Sequence, residues 1–382
     1  MASSAQKRLQ DYVAIPSINP MGRTDQPAEW VGEARMVAHL EEEMRQLGID
    51  AEVVGTSDRP SLVAHVSSGR TDAETIMVAS HIDTVPVDGM DIPPFDPVVS
   101  NGQLSGRGSC DTKGGMAALV ASLERVLKKG TLKRNLILVG ESDEELGSQG
   151  VKDVLAALGS SRPDWVLATE PTEMKVVHRH KGVALIRLHA KGRSCHSSNP
   201  SEGRNALLTL SRAALALEDL HRRLGVEPDP QLGPGTISVG QMGGGQAPNI
   251  VPDHGFLVAD RRMLPGETLE KVRTEVEEAL QAARVWDDVD LVACVMGKPP
   301  LSTPADHACV SQCRRAMEAA GLSSATGTVA FGTDAGVFEQ SGLPGVVLGP
   351  GSILRAHTST EYVELDQLEA MTDFFESLLE NS

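Results

Sequence analysis

Four short apolar runs rich in β-branched residues, Ser61–Val66, Ile76–Ala79, Asn135–Val139 and Trp165–Ala168, constrain this chain more than any other feature. Each has the length and composition of a strand buried on both faces. Around them apolar residues recur at helical spacing over Gln26–Leu47, Gly114–Lys129 and Ser148–Leu158, and the first of these stretches stops at Gly48, as glycine-ended helices do. Strands alternating with helices predict an α/β domain whose sheet is assembled through crossovers. In open sheets of that kind ligand sites gather where strands end. Here the runs ending at Ala79, Val139 and Ala168 give way to clusters of ionisable residues.

The texture changes after about His180. An alternating run Val183–Ala190 is followed by a helical pattern Arg204–Leu224, strands near Thr236–Met242 and Gly255–Ala259, a helix Thr268–Ala283 and a strand Val289–Val295. That order is the order of a small two-layer α+β sandwich, ferredoxin-like, inserted into the first domain. Beyond Lys298 the earlier alternation resumes through Ala305–Ala320, Gly345–Leu348 and a final helix Asp366–Leu379. A chain of 382 residues exceeds the ~250–300 at which a single core stops growing. Residues 1–179 and 297–382 are therefore expected to form one discontinuous domain, and 180–296 a second.

A net charge of −17 argues against nucleic acid and anionic membranes as partners, because phosphate surfaces require a basic footprint. No stretch approaches the ~18 apolar residues of a membrane span, and the N-terminus lacks a signal-peptide core; a cytoplasmic location is expected. The five cysteines are odd in number and without C-x-x-C spacing, which disfavours both a disulfide framework and a thiolate zinc site and predicts mostly buried free thiols.

Carboxylates stand where solubility cannot account for them. The strand at Ile76–Ala79 runs into His81-Ile82-Asp83, two groups on one side of an extended segment; His81 reads as a metal ligand with Asp83 orienting it, or as an ordinary ion-paired loop histidine. Gly106 to Gly115 lacks the phosphate-loop spacing. Asp111 within it reads either as a helix cap or as a carboxylate bridging two metals. Glu141, Asp143, Glu144 and Glu145 crowd the end of another strand, a costly arrangement without solvent or cations. If metals are present, one of two adjacent glutamates can ligate while the other serves as general base. Glu170 adds a carboxylate after Trp165–Ala168, and His357 a second histidine after the turn Gly349–Gly351. Together they form a nitrogen and oxygen donor set suited to two divalent ions, Zn²⁺ foremost with Co²⁺ or Mn²⁺ as replacements. Such a pair activates a shared water and polarises a carbonyl.

The segments SHIDTVP, GRGSCDTKGG, ESDEELGS, ATEPT and AHTSTEYV, in this order, resemble the family of acetylornithine deacetylase, succinyl-diaminopimelate desuccinylase and carboxypeptidases of the G type. The resemblance covers nearly the whole chain. It implies a mixed-sheet, zinc-peptidase-like catalytic domain carrying an inserted dimerisation or lid domain. It implies further that His81 and Glu170 hold one zinc and Glu145 and His357 the other, with Asp111 bridging, Asp83 supporting His81, and Glu144 as general base. An unusual cis peptide at Asp111–Thr112 belongs to the same pattern. In the inserted domain His196 matches a histidine that reaches a neighbouring subunit's site to stabilise the oxyanion, so a homodimer is implied. Asn249 and Arg262 match ligands of a substrate α-carboxylate, for which the planar guanidinium fork is suited; Arg262 could otherwise pair with Asp260 or Glu267. Gly332 and Gly351 are expected to line the pocket through backbone groups. Cys110 beside the bridging aspartate is given no catalytic role.

The function expected is hydrolysis of the amide bond of an N-acyl-L-amino acid. A metallocarboxypeptidase or dipeptidase acting on a dipeptide shares the same chemistry, and N-carbamoyl amino-acid hydrolysis is a further alternative. A catalytically silent metal-binding protein is opposed by the intact Glu144 and complete ligand set.

Overall fold

The computed structural model of the chain describes residues 2–159 and 161–381. It divides into two compact units, one made of Met1–His178, Ser302–Gly327 and Thr333–Ser382, the other of Arg179–Leu301 and Thr328–Gly332.

In the first unit a mixed sheet runs in the order Ala51–Gly55, Pro60–Val66, Asn135–Glu141, Thr75–His81, Trp165–Ala168, Gly345–Val347 and Val176–His180. The strand Thr75–His81 is parallel to both neighbours, with His81 opposite Glu141 and Ala79 opposite Ala168. Gly345–Val347 extends the parallel set, Val347 standing opposite Ala168. The carboxyl ends of these strands therefore line up along one sheet edge. Residues alternate between two cores: Ile76 and Val78 pack with Met116, Val120 and Phe374, whereas Met77 and Ala79 pack with Val151, Val154 and Phe338. Burial on both faces is why the strand reads as a continuous apolar run.

The expected helix over Gln26–Leu47 forms only from Ala34 to Gln46. A short 3-10 turn at Ala28–Trp30 and Gly32, whose φ of +84° is left-handed, interrupt the pattern before it. The other helices follow the periodicity closely: Lys113–Lys129, Gln149–Leu158 and Leu365–Glu380. An N-terminal helix Ser4–Val13, started by the Ser3 side chain accepting from the Gln6 N–H, has no counterpart in the periodicity reading. Among the described residues no helix is long and apolar enough to cross a membrane. All five cysteines are free, and Cys195 alone is not buried.

The second unit is a sheet in the order Thr236–Gly244, His254–Met263, Gly182–Lys191, Val289–Lys298, antiparallel throughout. Residues of Gly182–Lys191 alternate buried and exposed after Gly182, the pattern of a sheet covered on one face. The cover is Ala206–Leu224 and Leu269–Ala282, whose Leu210, Leu217, Val272 and Val276 join Ile186, Leu188 and Leu257 in one core. Both helices start on side-chain caps: Asn205 accepts from Leu207 and Leu208, and Thr268 accepts from Lys271. The observed strand, helix, strand, strand, helix, strand order is the α+β sandwich. Thr328–Gly332 also belongs to this unit, outside the span expected for it. The Thr328 hydroxyl donates to the Gln231 carbonyl at 3.1 Å, a long-range tie that local periodicity does not register.

Candidate metal centre

Aligned strand ends deliver the ionisable groups of the first unit to one place. His81 closes its strand, Glu144 and Glu145 occupy the turn after Asn135–Glu141, Glu170 follows Trp165–Ala168, and Asp111 precedes the helix Lys113–Lys129. Ligand atoms of His81, Asp111 and Glu145 all lie within 4.8 Å of one another. His81 Nε2 stands 3.0 Å from Asp111 Oδ1, while His357 Nε2 stands 3.2 Å from Asp111 Oδ2 and 3.1 Å from Glu145 Oε2. The two oxygens of Asp111 thus face two different imidazoles. Glu170 and Glu144 are both buried, and each acts electrostatically on His81, although neither joins the tight cluster.

The donor chemistry fits divalent cations. The Nδ1–H of His81 donates to the Asp83 carbonyl at 3.0 Å, which leaves the Nε2 lone pair of a neutral ring pointing at a carboxylate oxygen. Two acceptors 3.0 Å apart need a proton or a cation between them. Burial draws His357 downward, yet hydrogen bonds to Asp111 and Glu145 outweigh it and lift the imidazole to about 11. Burial and then Asp111 push Glu145 up, countered by His357. The cluster is starved of positive charge, and metal ions supply without protons what protonated imidazoles would otherwise supply.

Supporting groups hold these side chains. The Asp83 carboxylate is 3.5 Å from His81 Nδ1, but its closer partners are Asn19 Nδ2 at 2.9 Å and the backbone N–H groups of Glu144 at 3.1 Å and Glu145 at 3.2 Å. Asp111 is no helix cap: Thr112 occupies that position without a capping hydrogen bond, and the Asp111–Thr112 peptide is cis. Glu361, fully buried, accepts the N–H groups of Gly108, Cys110 and Asp111. Glu361 lies inside the AHTSTEYV segment yet escaped sequence reasoning, as did Asn19 and Arg59, since nothing local marks a carboxylate that serves a loop far away in the chain.

The second unit holds most of the remaining residues singled out from sequence. His196 is exposed, with Nδ1 2.7 Å from Ser198 Oγ. Asn249 is exposed and accepts through its carbonyl from the Ser197 N–H at 3.0 Å, which keeps the segments of His196 and Asn249 adjacent. Arg262 pairs with Asp260 at 2.8 Å, one of the two alternative partners, while the fully buried Arg261 takes Glu267 at 2.9 Å. Gly332 packs beside Lys298 and the Lys181 carbonyl. Gly351, in the first unit, spends its N–H on Gln367 at 2.8 Å and its carbonyl on the Glu173 N–H; it packs on Cys110 and has no backbone donor left over for a ligand.

The family model for peptidase family M20/M25/M40 matches residues 77–381. The chain belongs to this family. It is 32% identical over 317 residues to an acetylornithine deacetylase of Myxococcus xanthus, covering 81% of each chain. To that of Proteus mirabilis it is 30% identical, covering 97% of this chain and 95% of the relative. Among solved structures it is similar to an M20 family metallo-carboxypeptidase of Sulfolobus solfataricus, with a TM-score of 0.80, 20% identity and 99% of each chain covered. It is also similar to a dinuclear metal binding M20 peptidase of Bacillus subtilis, with a TM-score of 0.71, 14% identity and coverage of 98% and 96%. Those two likenesses bear on the fold. As an M20/M25/M40 member with deacetylase relatives, the chain is a hydrolase acting on amide bonds, and its substrates are small amino-acid or peptide molecules.

Proposed function

We propose that this chain is an N-acyl-L-amino-acid amidohydrolase of the acetylornithine deacetylase type. The observation that carries the reading is Asp111 facing His81 with one oxygen and His357 with the other, beside Glu145. Relatives named acetylornithine deacetylase at 30% and 32% identity over most of their length favour deacylation over peptide cleavage.

In this reading His81 and Glu170 would hold one divalent ion, zinc foremost, and Glu145 and His357 the other, with Asp111 available to both. When bound, the ions lower the pKa of water and polarise the acyl carbonyl. Glu144 takes the proton of the attacking water and delivers it to the departing amine, and its backbone is fixed for this by Asp83. Arg262 receives the substrate α-carboxylate after exchanging Asp260 for it, and Asn249, held with His196 at the other end of the sheet, acts on the carboxylate of a substrate bound to a neighbouring subunit. His196 serves a neighbouring subunit in a homodimer, and the enzyme works in the cytoplasm.

The test is a metal-replete Glu144→Gln protein against the wild type on N-acetyl, N-succinyl and N-carbamoyl amino acids and dipeptides. Loss of kcat on the order of 10²–10⁴ with metals retained is expected, with N-acyl amino acids preferred. Undiminished turnover in Glu144→Gln would remove the base, and a preference for dipeptides would move the substrate class to the carboxypeptidase or dipeptidase reading.

A further inference from the structure

Groups that the chemistry above does not use hold the turn carrying Glu144 and Glu145. Asn19, fully buried, donates from Nδ2 both to Asp83 Oδ2 at 2.9 Å and to Asp143 Oδ1 at 3.0 Å. Glu33, also fully buried, accepts the Asp143 N–H at 3.3 Å. Arg59 clasps Glu33 through Nε at 2.8 Å and Nη2 at 2.7 Å. The same guanidinium comes within 3.2 Å of Asp143 and 3.7 Å of Asp83. Its own carbonyl accepts the Ser142 hydroxyl at 3.0 Å, and Asp143 itself sits in the left-handed region at a φ of +62°.

Among the described residues, Arg59 alone touches all three of these carboxylates. Like charges gathered out of water are tolerated only when a cation with good geometry compensates them. A planar fork also fixes directions, which a point charge does not. From Arg59 the path to the chemistry is two contacts long: through Asp83 to the backbone of Glu144 and Glu145, and through Asp143 to the residue preceding them.

We infer that Arg59, clasped to Glu33, is the positioning residue of the Glu144–Glu145 turn, setting where the proton-transferring carboxylate and its ligating neighbour stand without touching substrate or metal. The roles of Glu144 and Glu145 in this statement rest on the function proposed above. An ion pair serving only the fold would change melting temperature and leave the folded enzyme's metal affinity and kcat alone.

The test compares full-length wild type, Arg59→Met and Arg59→Lys, each stripped of metal and titrated with Co²⁺ by calorimetry and visible absorption, then assayed when loaded. Folded Arg59→Met is expected to bind Co²⁺ on the order of 10–100-fold more weakly, with an altered absorption spectrum. Its kcat should fall similarly at nearly constant KM, and Arg59→Lys should lie between. A wild-type isotherm in folded Arg59→Met overturns the inference. Should Arg59→Met not fold, Arg59→Lys decides: weakened Co²⁺ binding supports the inference and wild-type binding overturns it. If the wild type hydrolyses no N-acyl amino acid, the proposed function fails, while the Co²⁺ isotherm still decides the role of Arg59.

Discussion

The Oε1 atom of Glu361 lies 3.1 Å from the backbone nitrogen of Asp111, and the same oxygen accepts from Gly108 and Cys110 at 3.0 Å each. Its other oxygen takes Arg107 Nη1 at 2.6 Å, and both partners of that pair are buried. One carboxylate therefore shapes the loop that presents Asp111. Glu361→Ala should weaken metal binding by roughly 10–100-fold and lower folding stability by about 3–5 kcal/mol, since it strands the Arg107 charge. Cobalt titration and denaturant unfolding of the metal-free protein measure the two effects separately. Wild-type values in both would show that the Asp111 loop holds itself.

Gly351 has a φ of +90°, and a Cβ there would stand 2.5 Å from Cys110 Sγ. Gly351→Ala is expected to cost about 1–3 kcal/mol from the left-handed backbone, with an overpacking cost added. Combining it with Cys110→Ala should restore the packing part and leave the backbone part. Thermal unfolding of the three variants reads this, and full recovery in the double variant would assign the whole cost to packing.

His180 is fully buried, and desolvation, aided by the charge of Lys298 and opposed by a backbone hydrogen bond to Lys181, holds it down at about 4. The unfolded imidazole titrates near ~6.5. The folded state binds fewer protons, so this group's contribution is complete above pH ~6.5 and is lost progressively as pH falls toward 4. The span corresponds to about 3 kcal/mol. Denaturant unfolding at neutral pH and near pH 5 should show a smaller pH-dependent loss in His180→Gln than in wild type. Parallel losses would mean that the buried imidazole contributes nothing to the acid sensitivity.

Part of the candidate centre was readable because His81, Glu145 and Glu170 stand at or just after strands marked by uninterrupted apolar runs such as Ile76–Ala79. His81, Asp111, Glu145 and His357 converge although they are far apart in sequence, through parallel register that sets His81 opposite Glu141. What escaped are residues whose partners lie in remote segments: Glu361, which accepts backbone N–H groups of the Asp111 loop, and Asn19 and Arg59, which bind carboxylates around the Glu144 turn. No periodicity distinguishes such a carboxylate or guanidinium from a solvated one. The false start of the helix at Gln26 has a different origin, since spaced apolar residues there sit on a 3-10 turn and a left-handed glycine.

The most direct test of a dinuclear amidohydrolase is to strip the protein with a chelator and titrate Zn²⁺ back while following both bound metal and hydrolysis of an N-acetyl amino acid. Activity absent from the stripped protein and reaching its plateau only as the second equivalent binds is expected. Hydrolysis without metal, or a plateau at a single equivalent, would contradict a centre in which Asp111 is shared by two ions.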